Sequence, residues 1–320
     1  MFGRIIKTTG NAYTVLPLTD NKPRKALQDA LVCYVKGNFR QRGIRSTNPV
    51  AIGDIVDVEQ LADGTNWITE VHDRQNYIIR RSTNLSKQSH ILAANLTRAI
   101  LVVTLYHPAT SLVFIDRFLV TAEAYRIPAV LVFNKSDLLN EQQKEELKAV
   151  MFLYRQLGYS CYAVSATNLS EEEKANLTQN LLNNDDIVLL AGNSGVGKST
   201  LLNSLCGENW AKTGSISLSH DKGMHTTTFS EMYQTPTGAW LIDTPGIKGF
   251  GVLDMQKTEV GHYFREIFEI GKQCRYSDCT HTGEQGCKVA PAVENHLIAQ
   301  SRYESYLSIL SDINEDRYRR

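Results

Sequence analysis

Three observations predict a multidomain chain built around a doubly wound α/β sheet. From about residue 95, apolar runs alternate with amphipathic helical stretches, the pattern of parallel strands covered by helices on both faces. Before about residue 72 the runs are short, β-rich and broken by glycines, which predicts a small β-barrel. Beyond about residue 255, helical patterning resumes around three cysteines and a histidine. The expected segments are a barrel over 1–73, the α/β domain over 74–255 and a helical metal-binding segment over 256–320.

In the barrel segment the strands are expected at 12–18, 30–35, 55–61 and 66–71, punctuated by Gly10, Gly37, Gly43, Gly53 and the hairpin signal Asp63-Gly64. Periodicity leaves an OB-type and an SH3-like barrel both open. The stretch 74–90 is polar and basic and suits a linker. In the α/β segment, 100–105, 129–133 and 187–191 read as buried parallel strands, 240–242 as a shorter one, and 114–125, 141–157 and 199–205 as the helices between them.

Bulk properties narrow the class. A chain of 320 residues exceeds one compact domain of ordinary size. Hydrophobic residues at 42% and charged residues at 21% suit a globular protein in water. No apolar run approaches the roughly 18–20 residues that span a bilayer. The start, Met1-Phe2-Gly3-Arg4-Ile5-Ile6-Lys7, has neither an apolar signal core nor a small-residue cleavage site, so a cytoplasmic location without a membrane partner is expected. Net charge is zero, yet residues 1–50 carry nine Lys/Arg against two Asp/Glu, a net of +7. That lobe is either a docking surface for a phosphate backbone or a solvated basic face. Glu171, Glu172, Glu173, Asp185 and Asp186 form an acidic stretch.

Two motifs occur in reversed order. Gly192-Asn193-Ser194-Gly195-Val196-Gly197-Lys198-Ser199 follows an apolar strand and, with Thr200, opens a helix, the context a phosphate loop requires. Its glycines let main-chain N–H groups cradle phosphates at the positive end of the helix. Lys198 is expected to reach the β- and γ-phosphates as a catalytic group, and the Ser199 hydroxyl to bind Mg²⁺. Asn134-Lys135-Ser136-Asp137 comes about sixty residues earlier, at the end of the strand 129–133. A carboxylate at Asp137 accepts from the N1–H and exocyclic amine of guanine, a donor pair adenine lacks, so GTP and GDP are the expected ligands. Ser165-Ala166-Thr167 stands where a loop backing the base through its main chain is expected. The usual order is phosphate loop first; its inversion predicts a circularly permuted P-loop GTPase domain.

Asp243-Thr244-Pro245-Gly246 follows an apolar run and supplies a second phosphate sensor, Asp243 toward Mg²⁺ through water and the Gly246 N–H toward the γ-phosphate. Between the two lies Gly223-Met224-His225-Thr226-Thr227-Thr228. A threonine here completes the Mg²⁺ shell in the triphosphate state, making the segment a switch; Thr227 is favoured, with Thr226 the alternative. Many GTPases place a water-orienting glutamine after the sensor turn, whereas here the position is Ile247. Slow intrinsic hydrolysis is therefore expected, with His225 the nearest candidate catalytic group. Because the sensor turn stands just before the metal-binding segment, a γ-phosphate-dependent shift in it is expected to pull on that segment.

Cys274-x₄-Cys279-x-His281-x₅-Cys287 places three thiols and one imidazole within fourteen residues, the closed ligand set of structural zinc. Cys33, Cys161 and Cys206 are scattered and read as packing residues.

Together these motifs resemble the RsgA (YjeQ) family of small-ribosomal-subunit biogenesis GTPases. The resemblance spans nearly the whole chain and implies an N-terminal OB-fold, a permuted GTPase domain and a C-terminal zinc domain. It further implies GTP hydrolysis stimulated by the small (30S) subunit, action late in its maturation, contacts to 16S rRNA from both flanking domains, and a monomer. It also points to the switch histidine, here His225, as the catalytic group. In the family the switch usually reads Gly-Arg-His-Thr-Thr-Thr, so Met224 departs from the pattern at the arginine. A nucleotide-gated rRNA-binding module with negligible turnover is the alternative reading; a metabolic nucleotide enzyme is disfavoured by the absence of any second-substrate motif.

Overall fold

The computed structural model describes residues 1–19, 22–23, 29–35, 50–81, 89–207, 230–243 and 255–318. In chain order the first strands are β1 (Phe2–Thr9), β2 (Ala12–Thr19), β3 (Lys22–Pro23), β4 (Leu31–Val35), β5 (Ile55–Gln60), β6 (Asn66–Val71), β7 (Tyr77–Arg81) and β8 (Ser89–Ala94). The middle of the chain gives β9 (Arg98–Val103), α1 (Leu112–Ala124), β10 (Ala129–Phe133), α2 (Glu141–Gln156), β11 (Ser160–Ala163), α3 (Glu171–Leu181), β12 (Ile187–Ala191) and α4 (Lys198–Cys206). Then come β13 (Ser230–Gln234), β14 (Trp240–Asp243), α5 (Lys257–Val260), α6 (Arg265–Gly271), α7 (Val289–Glu294) and α8 (Gln300–Tyr318). The chain divides into two compact units, Met1–Ile100 with Ser165–Gly249, and Leu101–Val164 with Phe250–Arg320.

In the first unit, β1 pairs antiparallel with β2 and β5, β5 with β6, β6 runs parallel to β4, and β4 returns to β2. That closed circuit of five strands is the OB-type barrel. Its interior is filled by the alternate residues of each strand: Ile5, Tyr13, Val15, Cys33, Val56, Val58 and Ile68. The β5–β6 turn carries Gly64 at φ 85°, and the Asp63 carboxylate accepts from the Thr65 N–H at 2.9 Å, as the hairpin signal predicts.

The expected linker over 74–90 is corrected by the structure. β7 and β8 pair as an antiparallel ribbon, and Arg74 is a buried cation whose Nε and Nη2 donate to Asp54 at 2.6 Å each. A buried arginine and a solvent-facing one are the same letter in sequence; its carboxylate lies 20 residues back, where no local pattern points to it. Gly53 shows how closely β8 approaches the barrel, since a Cβ there would stand 2.1 Å from the Ala94 carbonyl.

β13 pairs antiparallel with both β14 and β1, and Lys7 meets Glu231 across the latter pair at 3.0 Å. Barrel and α/β sheet are therefore joined within this unit by main-chain pairing. β12 and β14 run parallel, Ile187 opposite Trp240, and β12 is buried along its whole length. The acidic stretch beginning at Glu171 is the first turn of α3, closed by a capping box between Ser170 and Glu173, where carboxylates offset the helix dipole.

In the second unit β10 and β11 run parallel, Val130 opposite Ser160. The C-terminal helices share one core with α1: Val120 packs with Val260, Phe264, Ile267, Val289, Ile298, Tyr306 and Ile309. Beneath it lies a buried ionic cluster. Arg302 of α8 donates to Asp116 of α1 and, at 2.6 Å, to Glu266 of α6, while Tyr154 of α2 donates to Asp116 at 2.8 Å. The Arg302 guanidinium stacks 4.5 Å from the Phe264 ring. Burial raises the Asp116 carboxyl, and the Arg302 charge opposes that shift. Among the described residues no helix is long and apolar enough to cross a membrane.

Candidate nucleotide and metal sites

The phosphate loop stands between β12 and α4. Gly192, Gly195 and Gly197 adopt φ of 144°, 81° and 91°, conformations that side chains resist, and Val196 is buried beneath them. Gly197 caps α4 in the left-handed region, so Lys198, Ser199 and Thr200 form the first turn, at the positive end of the helix dipole where an anion is favoured. Lys198 reaches back over the loop, its ammonium donating to the Gly192 and Asn193 carbonyls at 2.7 and 2.9 Å. Asn193, Ser194 and Gly195 form the accessible crest.

Ser165 and Ala166 belong to the same unit. The Asn168 N–H closes their turn on the Ser165 carbonyl at 2.8 Å, and Ala166 is buried. Ser204, on α4, donates its hydroxyl to the Ala166 carbonyl. The helix that follows the phosphate loop and the turn at Ser165–Ala166 are thus linked directly.

The tetrapeptide lies in the other unit, at the end of β10. The buried Asn134 is fixed by its N–H to the Val103 carbonyl at 2.8 Å. Lys135 takes a left-handed conformation, φ 60°, and Ser136 donates to the Val164 carbonyl at 3.0 Å. That sharp turn brings Asp137 into a short 3₁₀ helix with its side chain exposed.

Cys274, Cys279, His281 and Cys287 offer ligand atoms all within 4.8 Å of one another. His281 Nδ1 stands 3.6 Å from the Cys274 sulfur and 3.7 Å from that of Cys287. Tetrahedral zinc, with Zn–S near 2.3 Å and Zn–N near 2.1 Å, requires an S···N separation of about 3.6 Å. The donor set fits zinc. Burial, opposed by the His281 N–H and reinforced by the neighbouring thiols, pushes the Cys279 thiol up to about 12, so its thiolate needs a cation beside it to persist here. Burial also lowers His281, keeping its ring neutral as a ligand must be.

The surroundings orient these ligands. Side chains at Gly261 and Gly271 would approach the far edge of the His281 ring to 3.3 and 3.2 Å. Tyr303 and Tyr306 donate to the His281 and Thr280 carbonyls at 2.6 Å each. The Glu284 carboxylate accepts from the N–H groups of Thr280 and Thr282 at 2.7 Å each. Burial alone would raise Glu284, but these bonds and the Thr280 hydroxyl hold it down at about 2.

The RsgA GTPase family description matches residues 71–253. The small ribosomal subunit biogenesis GTPase RsgA of Phocaeicola vulgatus is 53% identical, the match covering 100% of this chain and 99% of that protein. The chain belongs to the RsgA GTPase family. Among solved structures it resembles YjeQ from Thermotoga maritima, with TM-score 0.72, 31% identity and coverage of 97% of both chains. It also resembles YloQ, a circularly permuted GTPase, with TM-score 0.71, 27% identity and coverage of 98% of this chain and 95% of that one. As an RsgA-family member the chain is a GTP hydrolase with a circularly permuted fold.

Several expected residues lie outside the described residues: Met224, His225, Thr226, Thr227, Gly246 and Ile247. Asp243 closes β14, but its side chain is likewise outside them. Cys33, Cys161 and Cys206 are buried free thiols, raised by burial to about 11, 11 and 12, as packing residues should be. Sequence reading passed over Ser204, Glu284, Tyr303 and Tyr306. Only their spacing from recognised motifs marks them, and serine or tyrosine in a helix is too common for spacing to single out.

Proposed function

We propose that this chain binds GTP with Mg²⁺, hydrolyses it on the small (30S) ribosomal subunit and acts late in that subunit's maturation. The observation that carries this reading is the end-to-end identity of 53% with a protein named as a small ribosomal subunit biogenesis GTPase. The preformed phosphate loop supports it, because a cradle of left-handed glycines ahead of a capped helix suits a polyphosphate and little else.

In this reading Gly192, Asn193, Ser194, Gly195, Val196 and Gly197 wrap the β-phosphate, and Lys198 exchanges its loop carbonyls for phosphate oxygens. Ser199 and Thr227 hold Mg²⁺, with Thr200 beside them, while Asp243 acts on the ion through water and Gly246 senses the γ-phosphate. Asn134, Lys135 and Asp137 read guanine, backed by Ser165 and Ala166. His225 orients the attacking water in place of the missing glutamine. Zinc on Cys274, Cys279, His281 and Cys287 shapes the C-terminal segment for 16S rRNA, and the protein works as a cytoplasmic monomer. Functional segments of 1–73, 74–255 and 256–320 go with this reading.

The test is phosphate release from GTP alone and with purified 30S, 50S and 70S particles. Stimulation by 30S is expected; equal rates with every particle, or none, would reject subunit-triggered hydrolysis. Asp137→Asn should relax the preference for guanine over adenine nucleotides, and retained selectivity would remove its base-reading role. His225→Ala should slow the 30S-stimulated rate by about 100-fold with GDP affinity intact, and an unchanged rate would clear His225 of a part in the chemistry.

A further inference from the structure

Helix α4 begins at the phosphate loop and carries Ser204 one turn beyond Thr200. A helical serine ordinarily returns its hydroxyl to the carbonyl four residues back. Here that bond, to Thr200, is the longer of two, at 3.1 Å; the shorter, at 2.5 Å, goes to the Ala166 carbonyl, 38 residues earlier in the chain. One hydroxyl carries one proton, so the two carbonyls compete for it, and distance favours Ala166. Ala166 is 4% exposed, and the turn around it is already closed by Asn168 on Ser165.

We propose that Ser204 is a positioning residue for guanine recognition, holding the Ser165–Ala166 loop in register with the phosphate loop. The inference rests on the proposed role of that loop in backing the base. The peptide unit is planar, so fixing the Ala166 carbonyl fixes the N–H of Thr167 and restrains the Ala166 backbone that presents its own N–H. Ser204 touches neither base nor phosphate in this role. It fixes the main-chain N–H groups of that loop, which the guanine O6 can accept from and the adenine amine, itself a donor, cannot. Sequence spacing hides this residue because its partner lies on the far side of α3 and β12 in the chain.

The experiment measures dissociation constants of the full-length protein for GDP and ADP and compares their ratio across variants. Ser204→Ala should lower the preference for GDP over ADP about fivefold, the worth of one neutral hydrogen bond, by weakening GDP while leaving ADP unchanged. Ser204→Thr keeps the hydroxyl and should restore the wild-type ratio. Parallel weakening of both nucleotides in Ser204→Ala would mean a merely structural serine and overturn the proposal, as would an unchanged ratio. A threonine variant that is folded, by its thermal midpoint, yet no more selective than the alanine variant would overturn it too. A wild-type ratio near one would instead reject guanine reading itself and this inference with it.

Discussion

The phosphate loop and the Cys/His knuckle both prepare a place for charge, in opposite materials. The loop is built from main chain: three glycines at positive φ and the open end of α4, held in shape by the strand and helix on either side. Lys198 adds a long side chain to it, its ammonium donating to loop carbonyls. The knuckle is built from side chains. Its thiols crowd one another and burial drives that of Cys279 toward protonation, so its stability depends on the cation the cluster would bind. A main-chain site can be complete before its ligand arrives, whereas a thiolate site is completed by it.

Metal removal tests the contrast with the largest expected effect. A chelator at neutral pH should unfold the region near 270–290 and abolish its protection from hydrogen exchange, since structural zinc supplies on the order of 10 kcal/mol. GDP affinity should survive. If GDP affinity is lost in step with the metal, the two sites are not independent. Zinc affinity should also climb with pH and binding should release protons, because the raised Cys279 thiol must give up its own.

Arg302→Ala comes next. It leaves Asp116 and Glu266 buried without their cation and should cost about 3–5 kcal/mol of stability, read as a lower thermal midpoint. A loss below about 1 kcal/mol would mean that the two carboxyls take up protons cheaply. At the phosphate loop, Lys198→Ala should lower stimulated hydrolysis by about 100- to 1000-fold while the fold stays intact, because the main chain holds the loop. Unfolding of that variant would show the lysine to be part of the scaffold.

The smallest effect concerns Glu284. Its folded carboxyl, held at about 2, lies below the ordinary carboxylate range, so its stabilisation is complete above that range and is lost as pH falls from about 4.5 toward 2. Glu284→Gln should flatten the acid side of the stability profile, and an unchanged profile would remove Glu284 from the loop's support.

Much of this was legible in the sequence for a specific reason. Strands 129–133, 187–191 and 66–71 stand where their apolar or alternating runs place them, because burial period is a local property. The phosphate loop, the tetrapeptide and the Cys/His spacing are local as well, since each functions within a few residues of chain. β7, β11 and β13 were not legible. Arg80 and Arg81 disguise the first, β11 is only four residues long, and β13 is a strand chiefly through pairing with β14 and β1.

What the chain alone determined, then, was the inventory of chemistry and its inverted order, because motif residues act on ligands through their own backbone turn. Tertiary structure alone decided which buried charges neutralise one another: Arg74 with Asp54 across 20 residues, Arg302 with Asp116 across 186. It alone decided as well that Ser204 reaches Ala166 beyond its own helix. Each of those choices is made by desolvation, which penalises an unpaired polar group only once the fold has removed it from water.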